Sequence, residues 1–118
     1  MSFNLHFNVN RDANQLSIYG QSSLAHIDAS KPTVIFIHGV LNDHSVWDAV
    51  LSPLATSMLG GINAIAIDLP GHGLSTGQAP ATVEEAADTL LAMLSSAGIE
   101  RAALVGHSFG SLIALEAA

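Results

Sequence analysis

Phe3, Leu5, Phe7 and Val9 alternate with Asn4, His6, Asn8 and Asn10, and a period of two predicts a β-strand with one wet face. Leu16, Ile18 and Gly20 continue the alternation after a polar turn at residues 12–14, so the chain is expected to open as an antiparallel hairpin. Three later runs lack a polar face. Thr33 to Ile37, Ile62 to Ile67 and Ala102 to Val105 are almost continuously apolar, as expected of central parallel strands covered on both sides. Parallel neighbours require crossover connections, and helical patterns lie between the runs. Thr82 and Glu85 form a Thr-x-x-Glu capping box, after which Val83, Ala86, Ala87, Leu90, Leu91 and Leu94 form one stripe that ends at Gly98. An earlier pattern, from about Ser45 to Leu59, aligns Trp47, Val50, Leu51, Leu54 and Leu59, with Pro53 starting, kinking or dividing it. A third helix is expected from about Ser108, with Leu112, Ile113 and Leu115 turned inward and no Gly or Asn cap before Ala118.

No internal repeat or long linker interrupts these elements, so residues 1–118 read as one domain, incomplete and cut within its last helix. Composition agrees with a packed chain: 49% of the residues are hydrophobic and 11% are charged. The net charge of -7 repels nucleic acid and anionic lipid. The absence of cysteine excludes thiolate chemistry and disulfides and fits a reducing compartment. The first residues carry no basic region followed by an apolar one. The longest purely apolar stretches fall far short of the roughly 20 residues that span a bilayer. The expectation is therefore a cytoplasmic protein with no membrane or nucleic-acid partner.

Gly106-His107-Ser108-Phe109-Gly110 matches G-x-S-x-G, in which a tight strand-to-helix turn lifts a serine hydroxyl clear of the sheet. Side chains at either glycine position would collide with neighbouring backbone, and the helix N-terminus supplies a positive potential where an oxyanion would form. Three fixed positions recur by chance in a chain rich in Gly and Ser, so the context matters more than the match. Here the motif follows an apolar run and precedes a helical pattern, which is the required strand-turn-helix setting.

Two further motifs join it. Phe36-Ile37-His38-Gly39 ends one predicted strand and is followed by Val40, Leu41 and Trp47, and Asp68-Leu69-Pro70-Gly71-His72-Gly73-Leu74-Ser75 follows the next. In this order and spacing the chain resembles the first half of the α/β-hydrolase superfamily, in the branch of esterases, carbon-carbon bond hydrolases and related acyl hydrolases. The resemblance covers about residues 3–118. It implies an α/β fold, the N-terminal half of an α/β-hydrolase, with an antiparallel hairpin followed by parallel strands and crossover helices. It also implies Ser108 as nucleophile, an oxyanion hole made by the N–H groups of Phe109 and Val40, and a supporting motif of His38, Gly39, Gly106, His107 and Gly110. Leu41 is the second choice for the loop donor. Serine at 108 argues against the family's dehalogenases and epoxide hydrolases, which attack through a carboxylate.

The family places its acid and base after the nucleophile, in the order Ser, Asp or Glu, His, and the chain continues only to Ala118. Glu116 is expected to face solvent rather than act as the acid, and Asp68 to hold its own loop. His38, His72 and His107 read as structural, His6 and His26 as surface residues, and His44 as a helix opener. No His-x-His or His-Glu-x-x-His pair is present, and no metal or organic cofactor is expected. The expected function is hydrolysis of a small ester-like or similar carbonyl substrate through an acyl-Ser108 intermediate in a complete protein. The 118 residues alone are expected to be inactive and prone to self-association. A non-catalytic ligand-binding or scaffold domain on the same fold is the alternative.

Overall fold

The structure is a computed structural model that describes residues 2–11, 13–51 and 61–118. A mixed sheet of five strands forms its centre, in the order β1-β2-β4-β3-β5. Strands β1 (Phe3–Arg11) and β2 (Asn14–Ser22) form the expected hairpin, with Phe7 opposite Ile18 and Val9 opposite Leu16. All four of these side chains are buried, while Asn4, His6, Asn8 and Asn10 face water. The polar turn includes residue 12, which lies outside the described residues. β3 (Thr33–Ile37) and β4 (Asn63–Ile67) are parallel neighbours, and β2 joins β4 antiparallel through Gly20 to Ser22.

Alternation along β3 and β4 divides the core in two. Ile35, Ile37, Ile65 and Ile67 meet Ala86, Ala87, Leu90 and Met93 of helix α1 (Val83–Ser96) and Ile113 of helix α2 (Phe109–Ala117). Phe36, Ala64 and Ala66 point to the opposite face, where Leu51 and Trp47 cover them. Both strands are thus buried on both sides, which is why their sequences are continuously apolar. The expected helix from Ser45 begins as a 3-10 turn at His44–Trp47, with Asp43 as its N-cap, and residues 48–51 are helical. Pro53, Leu54 and Leu59 lie outside the described residues, and Val50 is exposed rather than aligned with the core.

β5 (Ala103–Gly106) pairs with β3 and forms the sheet edge among the described residues, as expected, and its positions alternate between exposed and half-buried, less covered than β3 and β4. Two expectations for the helices require correction. In α2 only Ile113 of the expected inward set is buried; Leu112 and Leu115 are 53% and 78% exposed. In α1, likewise, Leu91 is exposed and Met93 takes its place in the core. The start of α1 follows the sequence closely, since Thr82 Oγ1 accepts from Glu85 N–H at 3.0 Å. The Glu85 carboxylate reaches Ala81 N–H at 2.6 Å, one residue before the position that a standard capping box uses. At the other end Ile99 N–H bonds Leu94 C=O and Gly98 N–H bonds Ser95 C=O, a Schellman closure.

Chain order and strand order together position the functional end. From β3 the chain passes to β4 on one side, and α1 then carries it across to β5 on the other. The order therefore reverses at β3, and the C-terminal ends of β3 and β5 border the crevice in which α/β sheets bind ligands.

Asn63, at the first position of β4, is buried and ties down the approach to β3: its Oδ1 accepts from Asp28 N–H at 2.8 Å, and its Nδ2 donates to Asp28 C=O at 2.9 Å and Lys31 C=O at 3.2 Å. Asn63→Ala leaves several backbone groups short of partners, and thermal or urea unfolding should report a loss of about 2–3 kcal/mol. A loss near zero would mean that water replaces the amide.

Candidate active site

β3 ends at Ile37 and its carbonyl accepts His107 N–H at 3.1 Å, so the turn after β5 is tied to the end of β3. Ser108 follows with φ 57 and ψ -121, a conformation that a residue with a side chain rarely adopts. It lies at the N-cap of α2, where the helix dipole favours negative charge. The turn is closed by Gly110 N–H to His107 C=O and Ser111 N–H to Ser108 C=O, both at 2.9 Å. A Cβ at Gly106 would overlap the Gly110 carbonyl, and one at Gly110 would overlap the carbonyls of Ile37 and His38. Backbone therefore packs directly on backbone here, and both glycines are steric requirements.

The loop after β3 approaches from the other side, since a Cβ built at Gly39 would lie 3.2 Å from Ser108 Cβ. The N–H groups of Val40 and Phe109, the expected oxyanion donors, have no protein acceptor among the described residues. The second-choice donor differs: Leu41 N–H is given to His72 Nε2 at 3.2 Å.

A buried carboxylate organises the third loop. Asp68, fully buried at the end of β4, accepts His44 N–H at 2.7 Å and His44 Nδ1–H at 2.9 Å through Oδ1, and Leu74 N–H at 2.8 Å through Oδ2. Gly73, at φ 50, lies so close that a Cβ would enter the carboxylate. Ser75 Oγ donates to Asp68 C=O at 2.6 Å and accepts Tyr19 N–H at 2.8 Å, which fastens this loop to β2. Asp68 thus holds its own loop, as expected.

His44 is more than a helix opener. Its ring joins the 44–47 turn to Asp68 and packs 4.9 Å from Tyr19, a contact that no sequence spacing signals. Asp43, His44 and Asp68 offer ligand atoms within 4.8 Å of one another, a clustering not legible in the sequence. Asp43 Oδ1 caps Ser45 N–H at 2.9 Å and both Asp68 oxygens accept hydrogen bonds.

His38 is fully buried. Its Nδ1–H donates to Gly39 C=O at 2.6 Å, and its Nε2 accepts Leu69 N–H at 3.0 Å, which defines a neutral ring. Burial holds its pKa below the ordinary imidazole value, with nearby His72 acting in the same direction and the Gly39 carbonyl against it. His107 contributes backbone bonds to the turn, and Glu116 lies near the far end of α2 from Ser108.

The profile of the family described as alpha/beta hydrolase fold matches residues 32–118, and the chain belongs to that family. Over 87 residues it is 39% identical to the dihydrolipoyllysine-residue acetyltransferase component of the acetoin cleaving system of Cupriavidus necator, covering 73% of this chain and 22% of that protein. Over 88 residues it is 34% identical to 2-succinyl-6-hydroxy-2,4-cyclohexadiene-1-carboxylate synthase of Serratia proteamaculans, covering 75% and 32%. A crystal structure of a membrane phospholipase A, a bacterial virulence factor, superposes with a TM-score of 0.74 at 28% identity, covering 96% of this chain and 34% of that one. The match thus spans between a fifth and a third of the length of these curated relatives. Among the described residues no helix is long and apolar enough to cross a membrane.

Two outcomes test the site's construction. Gly110→Val drives a branched side chain into the end of β3 and should destabilise the fold by about 3 kcal/mol or more; an unchanged melting temperature would contradict the tight approach. Acidification should also lower stability through His38. The unfolded chain protonates this ring at about pH 6.5, whereas the folded ring does so only at lower pH. The contribution of neutral His38 is therefore complete above about pH 6.5 and is lost as pH falls toward the folded pKa. Melting temperatures between about pH 7.5 and pH 5 should show the decline, and a shallower decline in His38→Gln would assign it.

Proposed function

We propose that this chain carries the nucleophile and oxyanion hole of a serine hydrolase acting on an ester or similar carbonyl substrate through an acyl-serine intermediate. The backbone conformation of Ser108 carries the proposal: φ 57 and ψ -121 between a strand end and a helix N-terminus present the hydroxyl away from the sheet, at a cost that a packing role does not need. The N–H groups of Val40 and Phe109, without acceptors among the described residues, support an oxyanion hole, because they come from the two places from which this fold draws its donors. Family membership supports the reaction class, and the phospholipase among the structural relatives is consistent with an ester substrate. Attack by Ser108 on a carbonyl carbon forms the C–O bond of a tetrahedral intermediate. Collapse of that intermediate expels the leaving group, and water then releases the acyl group.

The base that takes the hydroxyl proton and the acid that orients it are assigned to sequence outside these 118 residues, in keeping with the chain order of the fold. The exposed edge of β5 and the apolar Leu112 and Leu115 support self-association of the isolated chain.

In a complete hydrolase carrying this segment, a fluorophosphonate probe should label Ser108, and Ser108→Ala should abolish the label. Labelling that survives the substitution would exclude Ser108 as nucleophile. The 118-residue chain alone should not accelerate p-nitrophenyl acetate hydrolysis in a Ser108-dependent way, and saturable activity lost in Ser108→Ala would place a base within it.

A further inference from the structure

His38 and His72 lie on different loops, and each ring accepts a backbone N–H from the other's loop. His38 Nε2 takes Leu69 N–H at 3.0 Å, and His72 Nε2 takes Leu41 N–H at 3.2 Å. Each ring donates through Nδ1 to a carbonyl nearby on its own loop, Gly39 at 2.6 Å and Pro70 at 3.0 Å. The ring centroids are 5.1 Å apart. An imidazole that donates at Nδ1 and accepts at Nε2 is neutral, so two neutral rings cross-tie the loop after β3 to the loop after β4.

Leu41 is the point at which this tie bears on the candidate site. It is held at φ 67, which is unfavourable for a residue with a side chain. Leu41 is 91% exposed, so side-chain packing does not hold it there. What fixes the backbone is the bond from its own N–H to His72, together with the turn closed by Asn42 N–H to Gly39 C=O at 3.2 Å.

We propose that His72 is a positioning residue for the oxyanion loop: by taking Leu41 N–H it withdraws one of the two candidate loop donors and leaves Val40 N–H to face a substrate oxygen. The assignment to an oxyanion rests on the hydrolase proposal; the hold on Leu41 does not. A protonated His72 would set one N–H against another at Nε2 and lose that hold.

Nitrogen NMR of a 15N-labelled complete hydrolase carrying this segment tests the hold directly. His72 should show a protonated Nδ1 and a bare Nε2, with a scalar coupling across the hydrogen bond between Leu41 N and His72 Nε2. His72→Ala should speed hydrogen exchange of the Leu41 amide about tenfold and leave Val40 unchanged. His72→Gln, whose carbonyl oxygen can accept the same N–H, should recover much of the protection. A protonated Nε2 in the wild-type chain near neutral pH, or unchanged Leu41 exchange in His72→Ala, would overturn the proposal, and the wild-type nitrogen shifts decide it even if the alanine variant does not fold. In a complete hydrolase, His72→Ala should lower kcat about tenfold at unchanged KM; an effect confined to KM would overturn the positioning role. Fluorophosphonate labelling reports separately: an intact Leu41–His72 bond in a complete protein that is not labelled at Ser108 would sink the hydrolase proposal and leave the hold on Leu41 standing.

Discussion

The turn after β5 rests on the carbonyl end of β3 with no side chain between them. Ile37 C=O accepts His107 N–H, and Gly110 sits so close to Ile37 and His38 that a Cβ would enter their carbonyls. This contact sets the distance between β3 and the start of α2, and with it the place of Ser108 relative to the loop that begins at His38. It also explains the left-handed backbone of Ser108, since the chain must reverse from strand to helix within the space that two glycines leave free. The remaining site features are arranged around this fixed point.

The loops that face it are held from beneath by polar groups taken out of water. Asp68 is a buried carboxylate whose oxygens are satisfied by backbone N–H groups and the His44 ring, the condition under which a buried charge is tolerated. His38 is a buried imidazole with both nitrogens engaged. The His44–Asp68 and Leu69–His38 bonds join the loop after β3 to the loop after β4, so these two loops form a single hydrogen-bonded unit, and a change in one is felt in the other. Such an arrangement suits a site whose donors must already point at a developing charge before reaction. Its apolar support comes from two cores on opposite faces of β3 and β4, so the strand ends that carry the loops are immobilised from both sides.

The sequence by itself determined the element types and the three motifs. Period-2 alternation in the hairpin, short apolar runs bounded by turn residues in β3 and β4 and the capped stripe of α1 are local signals, and the element types follow them. The elbow glycines were legible because only Gly fits where backbone meets backbone. Tertiary structure alone decided the rest. Leu91, Leu112 and Leu115 carry the same local signal as Leu90 and Ile113, yet they are exposed, because which turn of a helix meets the sheet depends on how the helix docks and not on its own periodicity. The pairing of His44 with Asp68 and the crossed bonds of His38 and His72 join residues 24 and 31 positions apart, and no local pattern records such contacts. The bond from Leu41 N–H to His72 is of the same kind, since His72 reaches Leu41 only after β3 and β4 lie side by side.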